Sequence, residues 1–268
     1  MNKFTYALAL GAGLALGLAA PTARAAAIAT PVVQNLVPQT MTAAQFNADF
    51  TATTGVLSNS YTFMNTPTTG VVESQVFQGT GAYAGLTAYA YQFGVNNVSD
   101  SSGQPTSVNS ASLQFNATPV PVSLSSGANS SVYDITNGQV GSINVPQAAP
   151  GSTVQVPASI AWQPGTTTGS LTFQYLDATT NTGPLQAGAT SGTIVVITNE
   201  KSTTMPFVSI QNANPQVGYP QAYAPTGGTI ASIPAGSETP EPATIIGWTS
   251  VLGALALVRR VRRSRRAA

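Results

Sequence analysis

The strongest constraint on the fold is the stretch from Leu86 to Val95, in which large and small side chains alternate. Tyr89, Tyr91 and Phe93 are separated from one another by single alanine or glutamine residues. A period of two places successive side chains on opposite faces of an extended chain, as in a β-strand. The stretch therefore predicts a strand with one aromatic face.

Other segments repeat this signal. Residues 193–198, TIVVIT, are β-branched throughout and predict a central strand buried on both faces. Leu171, Phe173 and Tyr175 alternate with polar residues and predict another strand. Weaker candidate strands are Val71–Phe77, Ser112–Phe115, Val132–Ile135, Val140–Val145, Val154–Trp162 and Phe207–Ile210.

Turn signals between these segments decide the fold class. Asn137-Gly138 favours a tight hairpin between its flanking strands, and Glu200-Lys201, after TIVVIT, predicts a hairpin tip. One short helix is predicted over Met41–Phe50, with Thr40 or Thr42 as its cap. Short strands without long intervening helices or a fixed repeat predict an all-β protein, an antiparallel β-sandwich.

Charge is scarce and segregated. Only 6% of the residues are charged, and residues 26–242 hold one lysine against all eight acids, a net charge of −7. Nucleic-acid binding needs clustered basic residues, so it is disfavoured for this part of the chain. The chain has neither cysteine nor histidine, which excludes disulfides, thiolate metal sites and a serine-histidine triad.

The first 25 residues have the three parts of a signal peptide. A short basic start precedes an apolar run from Ala7 to Ala20, and Ala23-Arg24-Ala25 matches the small-x-small site of signal peptidase. We expect cleavage after Ala25, with Ala27 as the second choice. An uncleaved membrane anchor is the alternative.

The last 30 residues have a similar three-part layout. Pro240-Glu241-Pro242 is rigid because each proline fixes its own φ and restricts its neighbour. The 16 residues Ala243–Val258 carry no charge and predict a single transmembrane helix, which at about 24 Å is short for a bilayer core. A basic tail, 259–266, follows and should stay in the cytoplasm. Its arginines are Arg259, Arg260, Arg262, Arg263, Arg265 and Arg266.

This layout resembles the PEP-CTERM sorting domain of surface proteins from Gram-negative-type bacteria. The resemblance implies export, a transient stay in the inner membrane, and processing near Pro240-Glu241-Pro242 by an exosortase-type enzyme. It also implies an association with bacteria that make extracellular polysaccharide or a biofilm matrix. A permanent tail anchor on a proline-rich stalk is the alternative.

These observations predict five regions. They are a signal peptide (1–25), an N-terminal lead-in (26–45), a β-sandwich (46–212), a proline-rich linker (213–238) and the sorting signal (239–268).

The part between the two ends shows no catalytic or metal-binding motif. The loop from Asn96 to Gly103 is rich in oxygen ligands but lacks the alternating carboxylates of a calcium loop, so a polar turn is expected. Spatially paired carboxylates could still cleave glycosidic bonds. The acids are Asp49, Glu73, Asp100, Asp134, Asp177, Glu200, Glu238 and Glu241.

Four aromatic residues could form a sugar-stacking platform if they shared a face, and ordinary packing in the core or loops is the alternative. They are Tyr83, Trp162, Tyr219 and Tyr223. We expect packing. The sequence thus predicts a secreted cell-surface protein without enzymatic activity or cofactor, with a structural or adhesive role towards extracellular polysaccharide. A polysaccharide-modifying enzyme with paired carboxylates and a permanently anchored surface protein are the alternatives.

Overall fold

The computed structural model describes residues 32–63, 66–67, 69–212 and 217–231. Almost all regular structure in these residues is β-strand, with one α-helix and one 3-10 turn, so the all-β class is confirmed. The signal-peptide residues Ala23 and Ala25, the motif Pro240-Glu241-Pro242 and the arginines 259–266 lie outside the described residues.

The helix α1 is Ala43–Asp49 and the 3-10 turn is Gly81–Tyr83. The strands are β1 (Gln34–Leu36), β2 (Gln39–Thr40), β3 (Phe50–Ala52), β4 (Leu57–Tyr61), β5 (Gly70–Gly79), β6 (Thr87–Val95), β7 (Ser107–Val108), β8 (Ser110–Gln114), β9 (Val122–Ser123), β10 (Asn129–Ser130), β11 (Val132–Ile135), β12 (Ser159–Gln163), β13 (Ser170–Gln174), β14 (Leu185–Gln186), β15 (Thr193–Thr198), β16 (Thr203–Thr204), β17 (Val208–Gln211), β18 (Val217–Gly218) and β19 (Ala224–Pro225).

Two large sheets organise these strands. A six-stranded sheet has the order β1-β12-β13-β8-β17-β18, and all of its pairs are antiparallel. A seven-stranded sheet has the order β2-β11-β15-β6-β5-β3, with β4 also paired to β5. Its one parallel pair is β2 with β11, which differs from the purely antiparallel expectation. The remaining short strands form three two-stranded pairs, β9 with β10, β7 with β14 and β16 with β19.

The two large sheets share one hydrophobic core, and the alternating aromatic residues of β6 supply part of it. Tyr89, Tyr91 and Phe93 point from the seven-stranded sheet into this core and are fully buried. The ring of Phe173, on β13 of the other sheet, lies 5.6 Å from that of Tyr91 and 5.3 Å from that of Phe93. The predicted strand thus supplies the aromatic contacts between the sheets.

The opposite face of the seven-stranded sheet is buried under a second core. Ala88 and Ala90 of β6 face it, and their small side chains leave room for Phe46 of α1 and Phe77 of β5. Those two rings pack edge to face with centroids 5.0 Å apart. Because both faces of this sheet are covered, β15 is buried along its whole length, as TIVVIT predicts.

The helix begins where the sequence favours it. Thr42 is the N-cap, and its hydroxyl accepts a hydrogen bond from the amide of Gln45 at 3.2 Å. The Gln45 carboxamide accepts one in return from the Thr42 amide at 2.9 Å, which completes a capping box. The predicted helix over Met41–Phe50 is therefore confirmed in a slightly shorter form.

Several predicted elements differ from the structure. Val140–Val145 is not a strand. It forms a turn in which Val140 bridges Ile143, and both side chains are buried in the second core. Asn137-Gly138 therefore does not join a hairpin, although Gly138 has the expected positive φ. Glu200-Lys201 does not lie at a hairpin tip either, since β16 pairs with β19 and not with β15. Of the predicted Val154–Trp162, only the end is strand, within β12.

The sheets also extend beyond the predicted domain limits of 46–212. Strands β1 and β2 lie in the stretch predicted as a lead-in, and each completes an edge of a large sheet. Strands β18 and β19 lie in the stretch predicted as a linker. The prolines there did not prevent strand formation, because both strands are at edges or in short pairs.

Candidate functional site

The six-stranded sheet presents one face to its own core and one face outward, and the outward side chains form the candidate site. We call this surface the outer face. Its side chains come from alternate positions of β8, β12, β13 and β17. They are Ser110, Ser112, Gln114, Ser159, Ala161, Gln163, Ser170, Thr172, Gln174, Ser209 and Gln211. None of them is charged, and all but one carry a hydroxyl or a carboxamide.

Strand register arranges these side chains in rows across the sheet. One row runs Ala161, Thr172, Ser112, Ser209, and the next contains Gln163, Ser170 and Gln114. Within the first row, the hydroxyls of Ser112 and Thr172 lie 3.0 Å apart and share a hydrogen bond. Hydroxyls and carboxamides each donate and accept hydrogen bonds, so the rows form a regular, neutral hydrogen-bonding surface.

Two exposed aromatic residues border this surface. Phe207 precedes β17 and Tyr219 follows β18, and their exposed fractions are 65% and 63%. Phe207 bridges Gln221 in an antiparallel arrangement, and the Val208 amide donates a hydrogen bond to the Pro220 carbonyl at 2.7 Å. This ladder extends the sheet past the formal ends of both strands, so both rings lie on the outer face.

A cavity of about 360 Å³ opens beside the row that contains Gln163, Ser170 and Gln114. The loop between β12 and β13 supplies the rest of its lining. Gly169 allows this loop to approach the sheet closely, whereas the close contact of Gly165 is with the Thr168 carbonyl in the loop itself. A Cβ at Gly169 would lie 2.5 Å from the Phe115 carbonyl oxygen and 2.9 Å from the Trp162 indole nitrogen. The whole lining is uncharged, like the outer face itself.

The buried acids anchor loops on the other sheet. Asp49 accepts hydrogen bonds from the Ser125 amide at 3.0 Å and from its hydroxyl at 2.7 Å. Glu73 accepts them from the Asn144 amide at 3.2 Å and from its carboxamide at 3.0 Å. Both carboxylates thereby hold the loops that cover the second core.

The third buried acid, Asp134, is not close enough to Glu73 to act with it. Asp134 lies on the same face of β11 as Val132, which points into the core between the two sheets. Glu73 lies on the same face of β5 as Phe77, which points into the second core. The two strands are three positions apart in the sheet, which corresponds to about 14 Å. Asp49 lies beside Thr80, roughly 20 Å along β5 from Glu73. Glu73 therefore forms no carboxylate pair with either of them.

The partly exposed acids Asp100 and Asp177 close turns, and Glu200 accepts a hydrogen bond from the amide of the nearby Ser202. The hydroxyl of Ser102 and the amide of Gln104 hydrogen-bond the Asp100 carboxylate and hold its pKa below the usual value. The Thr179 amide does the same for the pKa of Asp177. The predicted polar turn at 96–103 is thus observed, and no cluster of three or more potential metal-ligating side chains occurs among the described residues.

The four aromatic residues of the candidate sugar-stacking platform do not share a surface. Trp162 is fully buried, and its indole nitrogen faces the Phe115 carbonyl at 3.5 Å. Tyr83 and Tyr223 are half-buried, and Tyr83 stacks on Phe50. Of the four, Tyr219 alone lies on the outer face, where its neighbour is Phe207, an aromatic residue outside the predicted set.

Phe207 was nevertheless detectable from the pattern. It precedes Val208, and the alternation Phe207, Ser209, Gln211 against Val208 and Ile210 assigns it to the polar side of its strand. An aromatic residue on the polar side of an alternating strand is the signal that would have found it.

Comparisons with known proteins give no match to a family model, a curated protein or a solved structure. The resemblance of the C-terminal residues to a sorting signal therefore stays a prediction. Within the part of the chain that the structure describes, no helix has the length and apolar character to span a membrane.

Proposed function

We propose that the chain is an exported surface or extracellular-matrix protein with a structural or adhesive role towards extracellular polysaccharide. The observation that carries this proposal is the outer face, a broad sheet surface of uncharged hydrogen-bonding side chains. Polysaccharides present dense hydroxyl groups, and a surface of hydroxyls and carboxamides can exchange its water for them without burying a charge.

We further propose that the two large sheets form an antiparallel β-sandwich. The core that both sheets share supports this, as do the ring contacts between β6 and β13. A sandwich suits an adhesive role because its outward strand faces are rigid and expose alternate side chains at regular spacing.

The route to the cell surface is proposed from the two ends of the chain. A signal peptide cleaved after Ala25 would start export, and the apolar segment 243–258 would hold the protein briefly in the inner membrane. The arginines 259–266 would keep the C-terminus cytoplasmic, and an exosortase-type enzyme would then process the chain near Pro240-Glu241-Pro242. Loss of the basic tail leaves an acidic protein at the cell surface or in the matrix.

We assign no catalytic step to the protein. The separation of Glu73 from both other buried carboxylates supports this assignment, as does the engagement of Asp49 and Glu73 in hydrogen bonds to loop amides.

A charge placed in the centre of the outer face tests the adhesive role. In the bacterium that makes the protein, we expect Thr172→Glu to lower the fraction retained in the matrix, because a carboxylate there must lose water without a counter-charge. The expected loss of affinity is tenfold or more, since burying an unpaired charge costs more than about 1.4 kcal/mol. Thr51→Glu, on the exposed edge strand β3, adds the same charge elsewhere and is the matched control. Equal retention of the two variants would contradict the adhesive role.

The sorting route has its own test. Mass spectrometry of the mature C-terminus is expected to show a chain that ends near Pro240, and replacement of Glu241 or deletion of Arg259–Arg266 is expected to block this processing. An intact chain that ends at Ala268 in otherwise normal cells would instead favour a permanent anchor.

A further inference from the structure

Phe207 and Tyr219 are unusual among the aromatic residues of the described chain. The other large rings are fully or half-buried in the two cores, whereas these two expose 65% and 63% of their surface. Each exposed ring leaves apolar surface in water, and this surface would stabilise the protein if it were buried. Both rings lie on one hairpin and at one edge of the outer face, so they form a single exposed aromatic patch.

The ladder between the two segments fixes how the rings are placed. Val208 lies opposite Pro220, and Phe207 lies opposite Gln221. The same register puts Tyr219 opposite Ser209, so Phe207 and Tyr219 are diagonal neighbours on one face. Diagonal positions across an antiparallel pair are about 7–8 Å apart, within reach of two aromatic side chains.

The rings continue the polar rows of the outer face. Tyr219 extends the row that runs through Ser209, Ser112 and Thr172. With Ala161 included, this row crosses five strands, or about 19 Å at the usual strand spacing. Phe207, one residue before β17, lies on the side of the sheet that carries Gln114 and the cavity. An aromatic edge therefore leads into a hydrogen-bonding surface long enough for several sugar rings.

Charge selects the kind of ligand. The outer face holds no charged side chain, while residues 26–242 carry a net charge of −7. An anionic polymer would meet repulsion and no counter-charge, and a basic partner would find no carboxylate on this surface. A neutral sugar chain matches it, because ring C–H groups pack on the faces of Phe and Tyr while hydroxyls bond to serine, threonine and glutamine.

We propose that Phe207 and Tyr219 are the stacking residues of a binding site for neutral polysaccharide, in which Gln114, Ser112 and Thr172 supply the polar contacts. This site rests on the proposed adhesive function and specifies its ligand class and contact residues.

Binding of purified full-length chain in mild detergent to soluble polysaccharides tests the site. The neutral probes are hydroxyethylcellulose, galactomannan and dextran, and the anionic probes are alginate and polygalacturonate. We expect binding to at least one neutral probe and to neither anionic probe. Phe207→Ala and Tyr219→Ala are each expected to weaken the neutral binding by about two- to tenfold, the change in affinity that loss of one aromatic contact produces.

Two variants separate stacking from other causes. Tyr219→Phe keeps the ring and is expected to retain most of the binding that Tyr219→Ala loses. Val145→Ala removes an exposed apolar side chain that lies outside the outer face, 56% exposed, and is also expected to have no effect. Circular dichroism should be unchanged in all four variants, because none of these side chains is buried.

Several outcomes would overturn the proposal. They are no binding to any neutral probe, preferred binding to an anionic probe, or unchanged affinity in the double variant of Phe207 and Tyr219. A concentration-dependent dimer that Phe207→Ala abolishes would assign the rings to contact between copies. If the ring variants bind normally while Thr172→Glu still loses matrix retention, the site fails and the adhesive function stands. If the unaltered protein is absent from the matrix, the proposed function itself fails.

Discussion

Neighbouring residues of β13 should differ sharply in their effect on stability, because they point to opposite faces of the sheet. Phe173 is fully buried and its ring contacts those of Tyr91 and Phe93 at 5.6 and 5.3 Å. Thr172 is half-exposed on the outer face, and its hydroxyl shares a hydrogen bond with that of Ser112. We expect Phe173→Ala to be strongly destabilising and Thr172→Ala to be nearly neutral.

The size of each effect follows from these surroundings. Replacing a buried Phe by Ala costs about 3–5 kcal/mol. Because two ring contacts are also lost, we expect Phe173→Ala to cost about 4 kcal/mol, well within that range. Thr172→Ala should cost less than about 1 kcal/mol, because the hydrogen bond it removes has water as a replacement. With a urea m-value of about 2.5 kcal/mol/M, the midpoint of unfolding should fall by roughly 1.6 M for Phe173→Ala and by less than about 0.4 M for Thr172→Ala.

Urea titration followed by tryptophan fluorescence measures both midpoints, since Trp162 lies on the adjacent strand and is fully buried. Equal shifts, or a larger shift for Thr172→Ala, would refute the assignment of faces. A slip of register by one residue would exchange the buried and exposed side chains of the whole strand and give the larger shift to Thr172→Ala. The outer face would then lose its physical basis.

Three further predictions concern the cap, a close approach and the tyrosines. Thr42→Ala should lower the free energy of unfolding by about 1 kcal/mol in a denaturant titration, because it removes the capping box of α1, and an unchanged value would contradict that role. Gly70→Ala should lower it by about 1–3 kcal/mol, because the new Cβ would overlap the Gly94 carbonyl and the Tyr61 hydroxyl, and a neutral result would show that the strands can separate there. Burial raises the pKa of Tyr89 to about 12 and that of Tyr91 well above its ordinary value, so these hydroxyls lose protons first in the unfolded chain. The midpoint of thermal unfolding should therefore be constant from about pH 6 to 9, because the chain has no histidine or cysteine to titrate there. It should fall above about pH 10, where the tyrosines of the unfolded chain lose their protons. A midpoint that stays constant up to about pH 12 would contradict the burial of these tyrosines.

Strand positions were predictable where burial alternates or is continuous along an extended segment. The alternation in Leu86–Val95 and the β-branched run 193–198 each correspond to a central strand, β6 and β15. The N-terminus of α1 was predictable because the capping threonine acts through local hydrogen bonds.

Backbone pairing was less predictable than burial. Val140 and Ile143 have the hydrophobic character of a strand, but they contribute to the second core from a turn. A hydrophobic pattern reports which side chains are buried and does not report which backbone groups pair. For the same reason the parallel pairing of β2 with β11 depends on tertiary contacts that no local signal encodes.

The candidate site was only partly predictable. The uncharged, hydroxyl-rich composition suggested a polar surface, and Tyr219 was among the aromatic residues considered. The proximity of the Tyr219 and Phe207 rings depends on the antiparallel ladder through Val208 and Pro220. A two-residue shift in that ladder would separate the rings, and such a register is set by the whole hairpin.

The most direct test of the account is to observe the outer face while polysaccharide binds. The side-chain amide signals of glutamine can be followed by NMR as a neutral probe such as hydroxyethylcellulose is added to the isotopically labelled chain. We predict that the signals of Gln114 and Gln163 shift or broaden, while that of Gln139, which is exposed on the loop after β11, does not. Shifts confined to Gln139 and other residues away from the six-stranded sheet, with Gln114 and Gln163 unchanged, would contradict the assignment of the outer face as the binding surface.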